Sequence, residues 1–139
     1  MENSPVTCRT LEEYYHINAN TFEKQYKDYL SGFRQWEQLE HADEWLVFPK
    51  NIGQSICIDE TAPSNGELYT IVSNRASRGR KGTIIAVARG VTADIVCEVL
   101  MRIDKSLREQ VNEITMDMSN SMRLIARRCF PKARRTIDR

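Results

Sequence analysis

Apolar and polar positions change rhythm partway along these 139 residues. Over residues 1–50, apolar side chains recur three and four positions apart, the spacing of one helix face. Thr10 is placed to cap a short helix through Tyr15, with Glu12 and Glu13 in its first turn. The stretch Asn18-Ala19-Asn20-Thr21 reads as a turn, and Asn20 or Thr21 caps a second helix running to Leu30. Its apolar face holds Phe22, Tyr26, Tyr29 and Leu30. Ser31-Gly32 breaks or kinks it, and Phe33, Trp36 and Leu39 continue the pattern. After Pro49 the period falls to two. Alternation predicts strands over 54–59, 68–73 and 83–88, joined as an antiparallel meander. Thr92 then caps a helix with Ile95, Val96, Val99, Leu100 and Ile103 on one face. A fourth strand closes at Asp117. Ser119 or Asn120 opens another helix, with Met122, Ile125 and Cys129 inward and Pro131 as its stop. A last strand covers 133–137. The order is β-β-β-α-β-α-β, which makes the fold class α/β (α+β), a mixed sheet covered by helices.

Composition changes this picture little. The chain is about one domain long, with 41% hydrophobic and 28% charged residues, an ordinary folded balance. No apolar run approaches the ~20 residues of a membrane helix, and Met1–Pro5 does not open a signal peptide, so a cytoplasmic protein is expected. Cys8, Cys57, Cys97 and Cys129 form no close-spaced pair, and His16 and His41 add little to a zinc set. Cys57, Cys97 and Cys129 lie on apolar runs and are expected to be buried free thiols. Trp36 and Trp45, in helical segments, are expected to be core anchors.

Charge changes it more. Residues 11–48 carry eight acids and three bases, whereas 75–89 carry five bases and no acid. Residues 123–139 carry seven bases against Asp138 alone. Two short helices and a tight turn can form a helix-turn-helix, but a DNA-reading helix should be basic, and residues 1–50 are acidic. A small helical packing module is the preferred reading there. Arg75, Arg78, Arg80 and Lys81 in the predicted hairpin turn are candidate contacts to a phosphate backbone, as are Arg127 and Arg128 on the last helix. Solvated turn and helix surface is the competing account of all six.

Candidate chemistry rests on two carboxylates. Asp59 closes Ser55-Ile56-Cys57-Ile58, and Asp117 closes Glu113-Ile114-Thr115-Met116. If the fourth strand lies beside the first, both acids stand at the same end of the sheet and can share a divalent cation. Mg²⁺ takes hard oxygen ligands and keeps several waters, so two or three such side chains suffice. Two-metal phosphoryl transfer starts from that arrangement. A single strand-end Asp is more often a turn or cap residue.

The element order, with an acid on the first and fourth strands, resembles the RNase H-like core of DDE-type transposases. Ile58-Asp59-Glu60-Thr61 followed by Asn65-Gly66-Glu67-Leu68-Tyr69-Thr70 resembles the first catalytic strand and hairpin of a bacterial insertion-sequence transposase family. Ile114-Thr115-Met116-Asp117-Met118-Ser119, with Met122 and Cys129-Phe130-Pro131-Lys132-Ala133, resembles that family's second catalytic segment. His41-Ala42-Asp43-Glu44-Trp45-Leu46-Val47-Phe48-Pro49 is also similar to it. The resemblance implies that Asp59 and Asp117 are catalytic metal ligands for Mg²⁺ or Mn²⁺. It implies insertion-sequence ends and target DNA as partners, and a bacterial, nucleoid-associated setting. It also implies a third acid, a Glu on a later helix. Glu60 and Asp138 are the nearby acids, and neither matches that position. The chain is therefore expected to be the amino-terminal part of a transposase, with residues 51–139 an incomplete catalytic domain, inactive alone. Self-association, or pairing with a downstream transposase part, is a further expectation. The alternative is a non-catalytic fragment that binds DNA or a partner and modulates a full-length transposase.

Overall fold

A computed structural model describes residues 6–63 and 66–137; Ser64, Asn65 and Asp138 fall outside them. The chain divides into two compact units, Met1–Glu40 and His41–Arg139.

The first unit is helical. Helix α1 spans Cys8–Tyr15, and its cap is Thr7, whose side chain accepts from the Thr10 backbone N–H at 3.2 Å. Helix α2 spans Ala19–Gln25 and is capped by Asn18 in the same way, at 2.9 Å from Thr21 N. Both caps lie two or three residues before the expected ones, because the earlier Thr and Asn reach the N–H three residues on. Tyr26–Leu30 continues α2 as a single π-helical turn, ended by Ser31 and the left-handed Gly32 (φ 68°). Among the described residues of this unit only Ala19 is buried. Trp36 is half-buried.

The second unit is a six-stranded mixed sheet. Its strands are β1 (Trp45–Val47), β2 (Ser55–Thr61), β3 (Tyr69–Asn74), β4 (Ile84–Arg89), β5 (Glu113–Met116) and β6 (Arg134–Ile137), in spatial order β1-β4-β3-β2-β5-β6. The β2–β3–β4 meander is antiparallel, while β5 runs parallel to β2 and β6 parallel to β5. Helix α3 (Ala93–Leu100) and the short α4 (Lys105–Arg108) link β4 to β5, and α5 (Asn120–Cys129) links β5 to β6. The alternation predicted from sequence holds along β2, where Ile56 and Ile58 are buried and Asp59 is exposed. Ile56, Ile58, Val72, Ile85, Ile114 and Met116 form one face of the core. Val96, Val99 and Leu100 of α3 and Met122, Ile125 and Cys129 of α5 cover it.

Four local expectations change. Trp45 lies on a strand rather than a helix, pairing with Ala88 at the sheet edge, where it still packs on the core. Its ring is stacked on His41 and capped by the Arg102 guanidinium at 4.1 Å. Thr92 occupies the α3 N-cap position without a side-chain cap bond, and Ile95 is 44% exposed because α3 turns it outward. Ile95 instead packs at Gly90 (φ 124°), where a Cβ would meet its methyl group at 3.1 Å. Cys57 is half-buried, since strand alternation sends it to the face opposite Ile56 and Ile58. Cys97 and Cys129 are the buried thiols.

Candidate functional site

The parallel pairing of β2 with β5 sets the geometry of the site. Ile56 pairs with Ile114, Cys57 with Thr115 and Ile58 with Met116. Asp59, still within β2, and Asp117, the first residue past the end of β5, both follow the last pair of that ladder, at the same end of the sheet. Alternation along β2 places Asp59 on the face opposite Ile58, away from α3 and α5, and Asp117 lies in the turn between β5 and α5. Both are exposed.

Each carboxylate is fixed by its own backbone. Asp59 Oδ1 accepts from Glu60 N at 2.9 Å, and Asp117 Oδ1 accepts from Met118 N at 2.6 Å. Neither acid has an ion-pair partner among the described residues, so one oxygen of each is open to an incoming cation. Ser119 follows Asp117 closely and caps α5, accepting from Met122 N at 3.1 Å. The strand therefore ends and the helix begins within three residues, and Asp117 is held at that turn. Glu60 alternates to the other face, opposite Thr70, and does not join the pair. No group of three His, Cys, Asp or Glu side chains that could hold a metal occurs among the described residues.

The basic candidates separate into different environments. Arg75 follows β3, and its Nη1 donates to Thr115 Oγ1 at 2.7 Å. Thr115 precedes Asp117 by two residues, about 7 Å along the backbone by strand rise, so this guanidinium is bonded to the strand that leads to Asp117. Thr115 itself gives no sequence signal; a Thr inside an apolar strand has no distinguishing mark. Arg78, Arg80 and Lys81 are exposed in the turn between β3 and β4. Because β3 runs antiparallel to β2, that turn is at the opposite end of the strands from Asp59 and Asp117. Arg80 and Lys81 border an open groove of about 680 Å³ whose apolar floor includes Leu46, Phe48, Ile84 and Val87. Arg128 donates to Asp94 on α3 at 2.7 Å, a hydrogen bond that raises its pKa above the ordinary value. Its charge is neutralised in place. Arg127 has no acid partner among the described residues.

No helix among the described residues is long and apolar enough to cross a membrane. A protein-family profile described as a transposase, of the DDE type named for ISL3, matches residues 56–139. The match takes in Asp59, Asp117 and most of the sheet. No curated protein and no solved structure matches the chain.

Proposed function

Since this chain belongs to an insertion-sequence transposase family, we propose that its second unit is the beginning of a DDE catalytic domain in which Asp59 and Asp117 are metal ligands. The parallel pairing of Ile58 with Met116, each followed directly by one of the two carboxylates, carries this reading. The antiparallel meander, extended by β5 parallel to its first strand, supports an RNase H-like assignment. The substrate class is DNA, at element ends and target.

The donor set fits a hard divalent cation such as Mg²⁺ or Mn²⁺: two carboxylates, each with one free oxygen, on an exposed rim. When bound, such ions supply an activated water or 3′-hydroxyl and stabilise the leaving oxygen. The residues themselves orient the site. The Glu60 and Met118 backbone N–H groups fix the carboxylate rotamers. The Arg75–Thr115 contact places positive charge on the same face, where it favours a phosphate approaching the acids.

Among the described residues two carboxylates stand together where the chemistry calls for three, and this arrangement by itself suits binding of DNA and metal rather than cutting. That supports the second reading as well, a DNA-binding fragment that competes with an intact transposase. The test adds Ca²⁺ to duplex DNA and the protein, and reads affinity by fluorescence anisotropy. Ca²⁺ should raise the affinity severalfold, and Asp59→Asn or Asp117→Asn should abolish that increment while leaving metal-free binding in place. An increment that survives both substitutions would overturn the assignment.

A further inference from the structure

At the β6 edge, on the helix side of the sheet, a cleft of about 280 Å³ is lined by Met116, Arg123, Arg127, Arg135 and Ile137. Arg123 and Arg127 lie one turn apart on α5. Arg135 pairs with Ile114 in the β5–β6 ladder, which directs it to the same side as Met116. Three guanidiniums thus converge from two elements.

Their neighbours are treated differently. Arg128 is paired with Asp94, Lys132 with Glu109 and Arg134 with Glu113. The bond from Lys132 also lowers the Glu109 pKa. None of Arg123, Arg127 and Arg135 has an acid partner among the described residues. Three like charges around one opening repel each other unless an anion sits between them. Planar guanidinium forks match phosphate oxygens two at a time. The cleft is open and its arginines are exposed, which suits a continuous backbone passing over it better than a small anion enclosed within it.

We propose that Arg123, Arg127 and Arg135 form a phosphodiester-binding cleft for a DNA strand, a step that rests on the transposase reading above. Met116 lines the cleft whereas Asp117, the next residue, does not, so the cleft takes phosphates that flank the reacting one. It is a positioning site, independent of metal.

Anisotropy with a duplex oligonucleotide in EDTA, over a range of salt concentrations, tests it. The triple variant Arg123→Gln/Arg127→Gln/Arg135→Gln should lose at least tenfold in affinity, and its log K against log salt slope should shrink by about three. Arg127→Gln alone should shrink it by about one, which keeps the test valid if the triple variant folds poorly. An Arg78→Gln/Arg80→Gln/Lys81→Gln variant provides the comparison. Normal affinity and slope in both cleft variants, with the hairpin variant weakened, would overturn the cleft while leaving DNA binding intact. Absence of any low-salt binding by the unaltered chain would overturn the cleft and the transposase reading together. Inorganic phosphate provides the last arm. Displacement of the oligonucleotide by millimolar phosphate at constant ionic strength would mark a small-anion site and overturn the proposal, whereas persistence supports it.

Discussion

Asp59 and Asp117 each keep one carboxylate oxygen on a backbone N–H and one open, and both are exposed. Removing either charge should therefore alter ligand binding more than folding. Asp117→Asn is expected to melt with the unaltered protein, as checked by circular dichroism. Cys129 behaves oppositely. Burial, with Cys97 adjoining it, pushes its thiol up from 9.0 to about 12. The folded state therefore holds its proton more tightly than the unfolded state does. The resulting stability is complete below pH 9 and is lost as pH climbs from 9 toward 12. Titration with a thiol reagent at pH 8 should accordingly label the half-buried Cys8 and Cys57 rapidly, while Cys129 reacts only on unfolding. The placement of the two aspartates at one end of neighbouring strands was legible in the sequence because each follows a short alternating run, although β2 continues past Asp59 to Thr61 rather than ending there. Cys57 was not, since an apolar run marks residues as strand without saying which face each takes.

At the scale of elements, the least visible feature is Arg108, on a four-residue helix. It is 8% exposed, and it donates from Nε to Ile103 O at 3.0 Å and from Nη1 to Cys129 O at 2.8 Å. Its guanidinium ties the end of α5 to the turn after α3, and both helices cover the strands that carry the acids. Arg108→Ala would leave two carbonyls short of a donor, a loss of about 2–4 kcal/mol. Urea unfolding should show it as a lower midpoint with an unchanged slope. Ile114→Ala, on the strand beside β2, should cost about 2–5 kcal/mol in the same experiment. The meander, α3, α5 and β6 were all legible from periodicity and caps, within a few residues. Strand β1 and helix α4 were not: three and four residues are too short to show a period. Trp45 was expected in a helical segment, and its pairing with Ala88 places it on a strand.

Across the whole molecule, charge is sorted more finely than its totals reveal. The bases of 75–89 and 123–139 include some that are paired with acids and others that have no acid partner among the described residues. A sequence reports how many bases a segment holds, whereas pairing depends on which acids the fold brings near. That is why Arg127 and Arg128, adjacent in sequence, differ: Arg128 pairs with Asp94, and Arg127 has no acid partner among the described residues. It is also why Arg123 and Arg135 stood only as part of a positive total. With two carboxylates in place, the 139-residue chain in Mg²⁺ should leave element-end DNA uncut under conditions where it binds that DNA, as gel analysis of end-labelled duplex would show. The most direct test of the central claim is where a metal goes. Amide NMR spectra recorded during addition of substoichiometric Mn²⁺ report this through paramagnetic broadening. Broadening centred on residues 58–60 and 116–118, abolished in both Asp59→Asn and Asp117→Asn, is the predicted result. Broadening centred elsewhere, or unchanged in those two variants, would contradict it.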